Sequence, residues 1–134
     1  LKTWKFERVQ DELQSLLHCI LNGAGLRKKL VIKVYAAGLY LTEENSNANK
    51  ILQADDAIAI RMHFIYKKVS EEKLIAAWNE GFLSAGVQED LAEEIALFNS
   101  YFSEAAKKGD IYDIIYEPGV GTSVYIKGFN FSDN

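Results

Sequence analysis

Disulfides are the first thing this chain cannot have. It contains a single cysteine, Cys19, so no internal bridge can staple it, and the redox compartment stays open. Cys19 is expected to pack as a small hydrophobe. Its neighbour His18 does not make the two a metal or nucleophile pair, because adjacent residues diverge by about 100° on a helix and point to opposite faces of a strand. With no second cysteine, a structural zinc site is not expected, and no metal ligand or cofactor is assigned. A basic excess is missing too. Fifteen Lys and Arg stand against 19 Asp and Glu, a net charge of −4, which speaks against a nucleic-acid binder. Long apolar runs are also lacking: the longest, Leu30 to Leu41, is interrupted by Lys33 and falls short of the ~20 residues of a membrane span. No signal peptide opens the chain, which a mature or trimmed chain would share. The compartment is therefore not fixed, a soluble chain in a bacterial periplasm being one expectation. Repeats, low-complexity tracts and linkers are absent.

What remains is enough apolar material for one core. A length of 134 residues at 49% hydrophobic content supports one domain and is too short for two, so residues 1–134 are read as a single unit. Residues 1–21 carry Val9, Leu13, Leu16, Leu17 and Ile20 at helical spacing. A helix over 9–17 is expected, with a strand from Leu17 to Leu21 as an addition. A glycine-rich turn, Asn22-Gly23-Ala24-Gly25-Leu26-Arg27-Lys28-Lys29, then leads into an apolar strand, Leu30 to Leu41. Its G-x-G spacing is not a nucleotide fingerprint, since no third glycine and no Lys-Ser/Thr pair follow. Arg27 is the best candidate site residue, because its planar fork of donors suits a carboxylate. The bland reading is a solvated turn arginine.

Ala48 to Ala54 read as a short helix with Ile51 and Leu52 directed inward, and Ala57 to Tyr66 as a strand. Alternation puts Ile58, Ile60, Met62, Phe64 and Tyr66 on a core face and Arg61 with His63 on the other, read as solvated, the alternative being a cleft lining. Ser70 is the expected N-cap of a helix that Gly86 ends. A second helix is expected from Gln88 to Lys107, stopped by Gly109. The acids Glu89, Asp90, Glu93 and Glu94 in its first turns suit the helix dipole better than a catalytic carboxylate pair. A hairpin closes the pattern: Ile111 to Glu117, a type II turn at Pro118-Gly119, and Gly121 to Lys127. This order implies an α+β domain, an antiparallel sheet with helices on one face.

Several of these stretches resemble the chalcone isomerase-like superfamily, the bacterial chalcone isomerase-like proteins more than the plant enzymes. They are Asn22 to Arg27 followed by Lys33-Val34-Tyr35-Ala36-Ala37-Gly38-Leu39-Tyr40-Leu41, then Ala77-Trp78-Asn79-Glu80-Gly81-Phe82, Lys108-Gly109-Asp110, and Tyr116-Glu117-Pro118-Gly119-Val120-Gly121-Thr122. The resemblance covers about residues 21 to 128. It implies an open-faced β-sandwich in which the family's further strand and long C-terminal helix are not seen, because only six residues follow Gly128. It also implies strands in the N-terminal segment, where the residue pattern favours a helix.

The superfamily includes isomerases, fatty-acid-binding proteins and members without assigned chemistry. Of the isomerases' positions, the arginine matches Arg27 and the strand threonine falls on Tyr35. The tyrosine falls on Val69 or Ser70, the asparagine on Ala76 or Ala77, and the last hydroxyl residue lies past Asn134. Cyclising a chalcone needs donors placed for a developing enolate, and these replacements supply few. No catalytic residue is assigned. An arginine with a tyrosine at the strand position is similar instead to the fatty-acid-binding branch. The expectation is therefore noncatalytic binding of a fatty acid or similar small amphipathic carboxylate, with Arg27 and Tyr35 as anchors and an apolar enclosure for the tail. A structural or interaction domain, with Arg27 closing the turn, is the alternative, and an isomerase stands third. The Val9–Ile20 stripe is expected to cover the sheet face left by the family's C-terminal helix, either within one chain or across a homodimer, the dimer being preferred.

Overall fold

The computed structural model describes residues 19–132. The helix expected over 9–17, and the covering role given to its apolar stripe, lie outside them. The described chain runs through β1 (Ile20–Lys29), β2 (Ile32–Leu41), α1 (Ala48–Gln53), β3 (Ile58–Phe64), β4 (Lys68–Val69), α2 (Glu71–Ala85), α3 (Ala92–Ser100), β5 (Ala106–Lys107), β6 (Ile111–Glu117), β7 (Gly121–Ile126) and β8 (Phe129–Asn130). Six strands form one antiparallel sheet in the order β1-β2-β3-β6-β7-β8, and β4 pairs with β5 apart from it. The α+β architecture expected from the sequence is the one found.

Local signals account for much of this. Asn47 caps α1, its side chain accepting from the Lys50 amide at 3.1 Å. Ser70 caps α2, accepting from the Lys73 amide at 3.3 Å, with Glu71 and Glu72 at the positive end of the dipole. Gly86 ends that helix at φ 73, a conformation glycine adopts without steric cost. In the β6–β7 turn the Val120 amide bonds the Glu117 carbonyl at 3.1 Å while Gly119 sits at φ 77, so Pro118-Gly119 form the expected type II turn.

Several expectations change. Asn22–Lys29 is not a turn but most of strand β1, and neither Gly23 nor Gly25 has positive φ. Glycine lowers strand propensity, yet β1 pairs with β2 along its length, and pairing outweighs propensity. The turn falls instead at Leu30-Val31, so β2 begins at Ile32. The second helix runs from Ala92 to Ser100 rather than from Gln88 to Lys107, so Glu89 and Asp90 precede it, and it ends early because Phe102 drops into the core and Ala106–Lys107 pair with Lys68–Val69. Gly109, at φ 90, turns the chain between β5 and β6 rather than stopping a helix. Leu52 is 81% exposed, not inward.

The two sheet faces bury different chemistry. On the face under the helices, Met62, Phe64, Tyr112, Val124 and Ile126 pack with Leu74, Phe102 and Ala106. On the other, Cys19, Ala36, Tyr40, Ala59 and Ile115 are buried together. That second face also holds Arg61, which is not solvated as its alternation suggested. It is buried and grips Asp113, its register partner on β6, through Nε to Oδ1 at 2.6 Å and Nη2 to Oδ2 at 2.8 Å.

Candidate functional site

Cross-strand register decides where Arg27 and Tyr35 stand. Arg27 on β1 is the partner of Tyr35 on β2, and Tyr35 is the partner of Phe64 on β3, so all three share the helix-covered face. The ladder is irregular beside them: Lys28 pairs with Lys33, leaving Val34 as an extra residue. The Val34 carbonyl accepts from both the Ile65 and Tyr66 amides, at 2.9 and 3.2 Å, which ties this bulge to the end of β3. A second irregularity leaves Asn22 unpaired in the ladder. Its side-chain amide donates to the Asn45 carbonyl at 2.9 Å and accepts from the Asn45 amide at 2.8 Å, replacing the missing rung.

Arg27 is exposed and Tyr35 half-buried. The guanidinium has no hydrogen-bond or ion-pair partner among the described residues. Burial pushes the Tyr35 phenol up, while the Arg27 charge pulls it part of the way back, so the hydroxyl is a neutral donor at neutral pH. Its ring lies 5.6 Å from that of Phe64. From there an aromatic series crosses into the helix layer: Phe64 to Tyr112 at 4.8 Å, Tyr112 to Phe102 at 6.0 Å, Phe102 to Phe98 at 5.0 Å and to Trp78 at 5.4 Å. Trp78 Nε1 and Asn99 Oδ1 are buried there without hydrogen-bond partners among the described residues. Trp78 lies on α2, Phe98 on α3 and Phe102 just beyond it, so nothing in their order along the chain joins them into one series ending at Tyr35.

The glycines of β1 shape this face by what they omit. Gly25 pairs with Ala37, which pairs with Met62, and Gly23 pairs with Leu39, which pairs with Ile60. Between Arg27 and Ile20, β1 therefore places no side chain on the helix side at these two positions. Ile20 and Ile60 remain 39% and 38% exposed. The result is an apolar strip of sheet that starts at Arg27 and Tyr35 and runs down β1 and β2. Arg27 stands at its rim, not at the inner end of an enclosed pocket. A different surface cleft, lined by Thr42, Glu43, Asn45, Ile51 and Asp56 among others, opens at the opposite end of the sheet, away from Arg27.

The other sequence candidates are separate. Ser70 is engaged as the α2 cap, Val69 lies in β4, and Ala76 and Ala77 are exposed on α2. Glu89, Asp90, Glu93 and Glu94 are exposed, as their solvated reading required. Cys19 is buried, which raises its thiol pKa. Among the described residues no three His, Cys, Asp or Glu side chains gather as a metal site, and no helix is long and apolar enough to cross a membrane.

No curated protein matches the chain. A solved fatty-acid-binding protein of Arabidopsis thaliana is similar over 85% of this chain and 71% of its own, at 24% identity and a TM-score of 0.70, which shows a common fold. Residues 8–132 match the family described as chalcone isomerase-like. With that match spanning nearly the whole sequence, and with an antiparallel sheet carrying helices on one face, the chain belongs to the chalcone isomerase-like family.

Proposed function

We propose that the protein binds a fatty acid or similar small amphipathic carboxylate without transforming it, Arg27 and Tyr35 holding the head group. The observation that carries this reading is the pairing of an uncommitted guanidinium with a neutral phenol at the head of an apolar strip. At ~3.3 Å per residue, the strip from Arg27 to Ile20 is on the order of 20 Å long, room for an extended acyl chain. Few polar anchors beside a largely apolar surface is the usual composition of such sites. The similar fold of a plant fatty-acid-binding protein supports the ligand class. Of the positions aligned with isomerase donors, Val69, Ala76 and Ala77 carry no side-chain donor, and Ser70 is held at the α2 cap by accepting from the Lys73 amide, which supports a binder over an enzyme.

Calorimetric titration with palmitate tests the reading. Arg27→Ala should weaken binding by about 1.5–3 kcal/mol and Tyr35→Phe by about 0.5–1.5 kcal/mol, because a hydrogen bond to a charge is the stronger. Arg27→Lys should recover only part of the loss, keeping the charge but not the fork. Equal affinity of folded wild type and Arg27→Ala would reject the site. No binding by wild type, with Arg27→Ala lowering the melting temperature, would favour a structural or interaction domain instead.

A further inference from the structure

The β1–β2 turn is built against its own stability. Leu30 sits at φ 58, where a β-carbon is disfavoured and where two-residue hairpin turns usually place glycine or asparagine. Leu30 and Val31 are 92% and 93% exposed, and Ile32 beside them 40%. Around this apolar tip stand Arg27, Lys28, Lys29 and Lys33. The hairpin from Ile20 to Leu41 has no Asp or Glu, so its charge is +4, and the rest of the chain must sum to −8 to reach the total of −4.

Topology extends this polarity across the sheet. Tyr35 pairs with Phe64 and His63 with Ile111, so the loops after β3 and before β6 lie at the same end as the hairpin tip. They bring Lys67, Lys68 and Lys108, all exposed, the Lys108 amide bonding the Lys67 carbonyl at 3.2 Å. Of the acids near that end, Asp110 and Glu104 face Lys127, at 3.6 and 3.7 Å, while Glu71 and Glu72 open α2. The opposite end of the sheet carries Glu43, Glu44, Asp55, Asp56 and Glu117.

We propose that the basic end of the sheet docks on an anionic lipid surface, with Leu30 and Val31 entering the interface and the surrounding lysines against the head groups. The charge separation selects this partner. A protein interface usually needs about 800 Å² per side with a core depleted of charge, and two aliphatic side chains ringed by cations do not provide one. An interfacial element needs only a small apolar tip and basic flanks. This goes beyond carboxylate binding and does not depend on it. If both hold, docking brings the Arg27–Tyr35 end of the strip to the depth where a fatty acid in a membrane carries its carboxylate.

Co-sedimentation with vesicles tests it, using phosphatidylcholine alone and phosphatidylcholine mixed with phosphatidylglycerol. Wild type should bind the anionic vesicles and leave the neutral ones, and added salt should release it. Lys28→Gln with Lys29→Gln should weaken binding roughly 30-fold, since each cation near an anionic surface contributes about five-fold. Leu30→Asn with Val31→Ser should weaken it at least ~10-fold while leaving the melting temperature unchanged, because both side chains stand in water and asparagine tolerates positive φ. Absence of binding to anionic vesicles would overturn the proposal, as would equal binding by wild type and both double variants. A lipid-free dimer that only Leu30→Asn with Val31→Ser dissolves would overturn it in favour of a second copy of the chain. Palmitate titration of the lysine variant separates the two hypotheses: unchanged affinity with lost vesicle binding leaves the carboxylate site standing.

Discussion

The two faces of the sheet solve burial in different ways. Under the helices, large rings meet edge and face: Phe64, Tyr112, Phe102, Phe98 and Trp78 fill the layer, and their stability is a matter of volume. On the opposite face, Ala36 and Ala59 leave room for Tyr40 and for the Arg61–Asp113 pair. That face depends on matched charge. The first arrangement tolerates an open margin where Gly23, Gly25 and Ala37 line the strip, because exposing a little apolar surface costs little. The second tolerates no gap, because an uncompensated buried charge is expensive.

The largest expected effects set these two solutions against each other. Arg61→Met should destabilise by about 3–5 kcal/mol in urea unfolding, since it strands Asp113, and Arg61→Met with Asp113→Leu should recover most of that loss. Phe102→Ala should cost about 3–5 kcal/mol through its cavity, with no second substitution of comparable rescue. If the Arg61 and Phe102 losses behaved alike toward such rescue, the contrast between the faces would fail.

Next in size is the alkaline limit, to which each face contributes through a fully buried tyrosine. Burial pushes Tyr40 and Tyr112 up to about 12; Arg61 tempers this for Tyr40, whereas Asp110 and Glu104 add to it for Tyr112. In the unfolded chain a tyrosine titrates near 10. Above that pH the unfolded state binds fewer protons than the folded one, so stability is intact below about pH 10 and falls as pH rises toward 12. Each phenol accounts for on the order of 2–3 kcal/mol of that loss. Tyr112→Phe and Tyr40→Phe should each flatten the alkaline limb of a melting-temperature profile, and an unaltered limb in both would refute the assignment.

The acid side is smaller and belongs to the ion-pair face alone. Burial, and then the Arg61 charge, lower the His63 pKa, Asp113 acting in the opposite sense. A depressed histidine contributes stability above its unfolded value of about 6.5 that is lost as pH falls through the folded value. His63→Gln should make the melting temperature less sensitive to pH as pH falls below about 6.5. Smallest of all is Arg27→Ala, an exposed change expected to alter stability by no more than ~0.5 kcal/mol, measured by the same unfolding.

What the residues alone determined is what short-range physics decides. A hydroxyl at Ser70 and a glycine at Gly86 delimit α2 because a cap bond and a left-handed residue act within one turn of the helix. Pro118-Gly119 sets a type II turn through the two residues' own dihedral limits, and two-residue alternation separates Met62 and Phe64 from Arg61 and His63. Arg27 and Tyr35 were legible as candidates from their chemistry and from a family resemblance. Pairing at a distance decided the rest. The position of the first hairpin turn, the early end of α3 at Ser100, and the strand character of the glycine-rich segment all follow from ladders and core contacts that local propensity does not encode. Arg61 is the plainest case, for its partner lies 52 residues away in sequence, and only the β3–β6 register turns an apparently solvated cation into a buried, paired one. That same kind of register puts Arg27 beside Tyr35, because strands fix side chains in rows across a sheet and a sequence records only the order along the chain.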